Sequence, residues 1–478
     1  MRRNPKSPGS NKNILRLTYF TALVFALMTG YLVWFIQVES ENVMNNSYNA
    51  RIGHLSDQVI RGKILSNDNR ILAETIVGED GKEVRSYPYG PLFCHAVGWS
   101  TRGKTGIEEL ANFYLLTSHD SLAEKVIREL ADEKDPGDDV VTTLDVNLQQ
   151  AAYQALGDRK GAVAAIEPST GKILAMVSKP DFDTNQINEL WESLVSGEQG
   201  EGLLLNRVSQ GLYPPGSTFK IVTLLEYMRE YPDDYQNFRF DCDGIYEQDG
   251  YTIRCYHGNA HGSQDIAQCF ANSCNGAFAY MGTLLDRGSM KQTADSLLFN
   301  QELPLSMPYS KSGFVLGTAS SQWEVLQTSI GQGGTQITPI HSLMITSAIA
   351  NGGVLMKPYL IDYVINENGK EGKQFFPESY GNLMSAKEAA ALSSMMERVV
   401  TEGTASALQT DAYRAAGKTG SAEFETGKES HAWFTGFAPV ESPQIAVTVI
   451  VEEGGSGGRE AAPIARAVMD AYFAKQQR

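Results

Sequence analysis

Three short patterns in this chain hold residue types able to transfer an acyl group. The first is Tyr213-Pro214-Pro215-Gly216-Ser217-Thr218-Phe219-Lys220. Two prolines and a glycine make a stiff, turned approach to Ser217. Ile221, Val222, Leu224 and Leu225 beyond it predict a helix too apolar to lie on a surface. Ser217 then stands at a helix start, where free backbone N–H groups favour negative charge. Lys220 follows on the same helix face, so the serine has an amine one turn away as a candidate base. The second pattern is Ser273-Cys274-Asn275, between helical stretches, and the third is Lys418-Thr419-Gly420-Ser421, on a predicted strand.

Each string alone is weak, and the chain carries its own controls. S-x-x-K recurs from Ser169 to Lys172 in a predicted hairpin turn, and S-x-N recurs at Ser40 to Asn42 and Ser47 to Asn49. K-T-G recurs at Lys104 to Gly106, where Thr105 and Glu108 read as a helix capping box. Taken singly, Ser217, Ser273 and Asn275 are ordinary helix-terminus residues and Lys418 a solvated strand residue. Order and setting separate the three chosen copies: a helix start, a loop between helices and a strand beside its hairpin.

The elements that would position them fall into segments. Arg2, Arg3, Lys6, Lys12 and Arg16 precede the uncharged residues 17–38, and Glu39 and Glu41 follow. That run is long enough to cross a bilayer, and the basic flank places residues 1–16 in the cytoplasm. The net charge is −16 despite that basic start, and so acidic a body argues against nucleic acid as a partner. Residues 39–139 read as a small mixed module with strands at 58–65 and 70–77 and a helix at 122–130. The run 132–139, charged and turn-rich, marks a boundary. From residue 140 come a short strand, a helix at 147–156 and an apolar strand pair at 161–166 and 172–177. Some 220 residues of mostly helical pattern follow, then strands at 414–424, 431–438 and 444–452 and a closing helix at 461–474. Strands, then helices, then strands predict an α+β domain with a mainly antiparallel sheet of five strands.

Five cysteines stand at 94, 242, 255, 269 and 274. Cys242 and Cys255 are placed to close a short disulfide loop outside the cytoplasm. Cys242, Cys255, His257 and His261 are an alternative metal-binding set, disfavoured by the lack of a C-x-x-C pair.

The three patterns together resemble those of the class B penicillin-binding proteins, the peptidoglycan D,D-transpeptidases. The resemblance extends from Arg61-Gly62-Lys63-Ile64 and Gly106-Ile107-Glu108 through Val141-Thr142-Thr143-Leu144-Asp145 and Thr170-Gly171-Lys172. It continues at Gly331-Gln332-Gly333, Asn351-Gly352-Gly353, Gly403-Thr404-Ala405 and His431-Ala432-Trp433-Phe434. It implies a β-lactamase-like transpeptidase domain at 140–478, its five-stranded sheet covered by helices on both faces, on a pedestal at 39–139. Ser217 would attack a D-Ala-D-Ala stem peptide or a β-lactam, Lys220 accept its proton, and Ser273 relay one to the leaving amine. Asn275 would bind the substrate amide, and Lys418, Thr419, Gly420 and Ser421 its carboxylate side. The Ser217 and Ser421 N–H groups would form the oxyanion hole. Cys274 would pack in the core, as would Phe434, while Tyr213 and Trp433 stand as cleft or core residues. The resemblance calls for no metal or cofactor and implies a membrane glycosyltransferase as partner. The same serine chemistry also suits a D,D-carboxypeptidase or β-lactamase, and a non-enzymatic sensor or scaffold stands as a third reading.

Overall fold

The computed structural model describes residues 9–35, 59–196, 202–425 and 427–476. Residues 1–8 of the expected tail, 36–38 of the expected span and 39–58 of the expected pedestal lie outside them, as do the Ser40 and Ser47 strings. Packing divides the chain into two units, Met1–Gln58 and Val59–Arg478. In the first, a helix runs over Gly9–Trp34. Its segment Lys12–Trp34 has a mean hydropathy of 1.6 and contains no buried residue. It therefore has the length and composition of a membrane-crossing helix.

The second unit opens on the expected hairpin, but its first strand is split into Val59–Ile60 and Ile64–Leu65. The break is where Arg61 turns aside to Glu108. Arg61 Nε lies 2.6 Å from Glu108 Oε2, and Arg85 Nε lies 2.7 Å from Oε1. Burial raises the Glu108 carboxyl, but Arg61 and Arg85 outweigh it and hold the group below its ordinary range. Thr105 and Glu108 are therefore not a capping box. Thr105 makes no side-chain cap bond, and its buried Oγ1 has no partner. The expected helix is present at Leu122–Ala131, capped by Ser121 and Glu124.

Strand Asp139–Thr142 ties this region to the rest. It pairs in parallel with Ile64–Leu65 and antiparallel with Ile361–Ile365, inside one six-stranded sheet. Asp145 then caps helix α1 (Val146–Leu156), accepting from Asn147 N and Leu148 N at 2.8 and 3.1 Å.

The central sheet is formed by β1 (Gly161–Ile166), β2 (Ile173–Lys179), β3 (Ala416–Ala422), β4 (His431–Ala438) and β5 (Ile445–Val451). Its spatial order is β3-β4-β5-β1-β2, antiparallel throughout. Nearly every residue of these strands is buried, which explains the apolar runs of β1, β5 and most of β2: both faces are covered. The helices concerned include α1, α4 (Pro339–Ala350) and α5 (Ala462–Gln476), with Ala386–Thr401 against β3, whereas α2 (Lys220–Glu230) and α3 (Asn275–Leu284) pack on one another. Helix α4 has no polar face and is buried along almost its whole length. Thr346 on it meets Thr435 of β4 through their hydroxyls at 2.6 Å.

The stretch expected to be mostly helical also contains strands. Arg239–Cys242 pairs with Gly262–Asp265, Ile245–Gln248 with Tyr251–Arg254, and Val354–Met356 with Ser379–Asn382. These runs are short and half-exposed, so neither period is strong enough to read.

Glu108 carries the clearest stability consequence. Glu108→Ala leaves two guanidinium groups facing each other without a counter-charge. It should cost about 3–5 kcal/mol, measured as a lowered midpoint of denaturant unfolding.

Candidate active site

Ser217 lies in a single 3-10 turn, Gly216–Phe219, that runs directly into α2. Two contacts fix this turn. Gly216 N donates to Gly331 O at 2.9 Å, and Trp433 Nε1 donates to Pro214 O at 3.1 Å. Gly216 has φ +53°, and a Cβ there would lie 2.8 Å from Ser421 O, so only glycine lets the turn approach β3 this closely. Tyr213, Trp433 and Phe434 are all buried. They are core residues, with Tyr213 and Trp433 edge to face at 6.1 Å.

β3 is the free edge of the sheet. Lys418 Nζ donates to Thr419 O, and Ser421 O faces Gly216, so both carbonyls point away from β4. In an antiparallel strand a residue's N–H and C=O point the same way. The Ser421 N–H is therefore turned toward the Ser217 turn, whose own first N–H groups have no intrahelical partner. Together they supply two donors on one side of Ser217, the geometry that stabilises an oxyanion.

Ser273 ends helix Ile266–Ala271 with φ +54°, a left-handed backbone that few non-glycine residues adopt. This turn places its Oγ between two lysines. Lys220 Nζ lies 3.2 Å from Ser273 Oγ and donates to Ser273 O and Asn275 Oδ1, both at 2.7 Å. Lys418 Nζ donates to the same Oγ at 2.9 Å. Both lysines are fully buried, and the aromatic rings of Phe278 and Phe270 lie near their ammonium groups. Burial pushes Lys220 down to about 8. Burial lowers Lys418 well below its ordinary value, and the Lys220 charge lowers it further. Two cations in so dry a space repel, so one proton is held loosely. Neutral Lys220 would spend its two N–H groups on Ser273 O and Asn275 Oδ1, leaving a lone pair to accept a proton.

Above the lysines opens a cleft of about 1470 Å³ lined by Ser217, Ser273, Asn275, Thr419, Gly420 and Ser421. All eight residues singled out in the sequence thus meet here, with Lys220 and Lys418 beneath the floor. The controls do not join them: Ser169 to Lys172 is the turn between β1 and β2, where Lys172 pairs with Asp362 at 2.7 Å.

Some participants had no sequence signal of their own. Thr404 Oγ1 sits 2.5 Å from Thr419 Oγ1 and orients that hydroxyl. The Gln332 amide faces both backbone groups of Glu423 just past β3, and with its nitrogen toward Glu423 O and its oxygen toward Glu423 N it would pair with them at 3.1 and 3.2 Å. Both belong to triplets quoted above for the resemblance, but only the fold shows what they touch. Cys242 and Cys255 are free thiols with Sγ atoms 3.6 Å apart, so no disulfide joins them. The metal set also differs from expectation. The donors that gather are Cys242, Cys255, His261 and Cys274, without His257. Cys274 is buried, but it does more than pack: it caps α3 and stands 3.7 Å from Cys255.

A half-buried serine over two buried lysines, beside an edge strand with free N–H groups, defines a serine acyl-transfer enzyme of the β-lactamase-like fold. Residues 161–470 match the penicillin binding protein transpeptidase domain, and 61–140 match the penicillin binding protein A dimerisation domain. The chain belongs to the penicillin-binding protein transpeptidase family. It is 32% identical over 448 residues to the peptidoglycan D,D-transpeptidase PbpA of Mycolicibacterium smegmatis, covering 86% of this chain and 88% of that one. It is 29% identical over 455 residues to the peptidoglycan D,D-transpeptidase MrdA of Acinetobacter baumannii, covering 81% and 66%. The ceftriaxone acyl-enzyme of penicillin-binding protein A from M. tuberculosis superimposes with a TM-score of 0.80 at 27% identity, over 87% of this chain and 99% of that one. The D,D-transpeptidase domain of a peptidoglycan glycosyltransferase from Eggerthella lenta gives 0.78 at 32%, over 88% and 99%.

The two lysines set a pH dependence. A base must be neutral, and Lys220 is neutral above about 8. The rate of acylation by a β-lactam should therefore rise with pH through that value and level off beyond it, measured by stopped-flow labelling. A rate that falls over the same range would exclude Lys220 as the base.

Proposed function

We propose that this chain is a membrane-anchored serine D,D-transpeptidase that cross-links peptidoglycan stem peptides and is acylated by β-lactams. The observation that carries the reading is the convergence of Lys220 and Lys418 on Ser273 Oγ beneath Ser217. Ser217 Oγ attacks the carbonyl before the terminal D-alanine while Lys220 takes its proton. The resulting oxyanion is held by the Ser217 and Ser421 N–H groups, each contributing about 3 kcal/mol. Ser273, fed by Lys418, passes a proton to the departing amine. An amine of a second stem then attacks the ester, and the proton path runs in reverse. Asn275 offers its amide to the substrate backbone. Thr419 and Ser421 offer hydroxyls to the terminal carboxylate, above the positive charge that Lys220 and Lys418 share.

The remaining assignments follow from chain order. Residues 1–16 lie in the cytoplasm, 17–38 cross the membrane, 39–139 are a pedestal and 140–478 the catalytic domain outside. The positive charge before the apolar helix supports this direction. The partner is a membrane glycosyltransferase that supplies the glycan strands, since the serine site itself only joins peptides.

Labelling with a fluorescent penicillin tests the nucleophile. Ser217→Ala should lose covalent label completely while keeping the wild-type unfolding midpoint; label retained on that variant would sink the assignment. The acceptor is tested separately. With stem peptide and an amine acceptor the product should be cross-linked dimer; hydrolysed stem alone would make the enzyme a D,D-carboxypeptidase. Release of labelled penicillin within seconds would instead mark a β-lactamase.

A further inference from the structure

Edge strand β3 meets the cleft with the row of peptide groups that turns away from β4. Within the cleft that row belongs to alternate residues: Thr419, Ser421 and, one step past the strand, Glu423. Thr419 O is already taken, by Lys418 Nζ at 2.9 Å. Glu423 faces the side chain of Gln332. With the amide oxygen against Glu423 O and the amide nitrogen against Glu423 N, like groups would meet. Turned over, the nitrogen donates to Glu423 O at 3.1 Å and the oxygen accepts from Glu423 N at 3.2 Å. A primary amide holds a donor and an acceptor side by side, so it supplies what one residue of a neighbouring strand would supply. Ser421 is then the residue of this row, among those described, whose N–H and C=O both stay open to a ligand.

The loop that carries Gln332 lies against the turn of the nucleophile. Gly331 O accepts from Gly216 N at 2.9 Å, and a Cβ on Gly331 would lie 1.8 Å from Gly216 O. Gln332 N is held in turn by Gln327 O at 2.9 Å. The amide therefore reaches β3 from the Ser217 side, and both Gln332 and Glu423 line the cleft.

The register of a bound donor follows from the ladder rules. A carbonyl held by the Ser421 N–H belongs to a residue whose own N–H faces Ser421 O, and two residues that exchange both bonds form an antiparallel pair. The residue acylated onto Ser217 thus sits opposite Ser421. The leaving residue after it points to Thr419. The residue two places before it would stand opposite Glu423, where the Gln332 amide sits.

We propose that Gln332 sets donor specificity by capping β3 at Glu423, so that the site pairs with the backbone of its acyl donor at one residue, the one acylated. The donor chain before that residue must leave the sheet edge, and its earlier residues go unrecognised there. The consequence for donors rests on the D,D-transpeptidase reading; the cap does not.

Hydrogen exchange on the full chain in detergent tests the cap. The Glu423 N–H should be protected in the wild type and exchange about tenfold faster in Gln332→Ala and Gln332→Met, with the amides of β4 and β5 unchanged. Equal exchange in all three proteins overturns the proposal. The consequence is measured with two donors and an amine acceptor: N-acetyl-D-Ala-D-Ala, and N-acetyl-Gly-Gly-D-Ala-D-Ala, which is long enough to reach Glu423. The wild type should release D-alanine from both with similar kcat/KM. Both variants should favour the longer donor about fivefold, through KM. A loss shared equally by the two donors marks a purely structural side chain and overturns the specificity role. A wild type that already prefers the longer donor to that extent overturns it as well. A wild type that takes up neither donor ends the transpeptidase reading and the specificity role with it, and leaves the exchange result to decide the cap.

Discussion

The contact on which this molecule turns is the meeting of two buried ammonium groups at one hydroxyl. Lys220 and Lys418 are fully buried and share Ser273 Oγ. Burying one lysine is costly, and burying two with a common partner is tolerable only if a proton is readily given up. The same strain brings Lys220 down to about 8, within reach of taking a serine's proton. Much of the surrounding structure can be understood as what keeps the two amines dry, apart and hydrogen-bonded.

Three separate pieces of backbone do this. The Ser217 turn is pinned from behind by Gly331 and Trp433 and lies against the β3 edge through Gly216. Ser273 accepts a left-handed backbone so that both its carbonyl and its hydroxyl reach Lys220. β3 leaves one row of peptide groups outside the strand ladder. At most sheet edges that row is a liability, but here the cleft gives it a substrate to bind.

The region before residue 140 has its own buried charge, arranged differently. Glu108 is flanked by Arg61 and Arg85, so its charge is compensated and the group stays ionised. The lysine pair is under-compensated and labile, whereas the Glu108 pair is satisfied and holds structure. A shared six-stranded sheet then joins that region to the catalytic fold through Asp139–Thr142.

Ser217 with Lys220, Ser273 with Asn275, and Lys418 with Thr419 were legible because each pair is local in the chain, and their order and the wider resemblance separated them from the other copies of the same strings. β1, β2 and β5 were equally legible, since burial on both faces writes an apolar run, whereas β3, with Lys418, Thr419 and Ser421, was read from its place beside its hairpin partner. The short ribbons at 239–265 were not, because half-exposed strands of four residues carry too little pattern. Glu108 was misread for a related reason: a cap and a buried ion pair use the same residue types, and only Arg61 and Arg85 arriving from distant strands distinguish them. Cys274 shows the limit most clearly. Its neighbours in the chain mark it as the middle of a motif, but the thiols and imidazole it joins come from loops the sequence places elsewhere. Local spacing determined which groups were able to react. Long-range packing, which alone sets burial and brings distant side chains within bonding distance, decided which of them meet and how their protons are held.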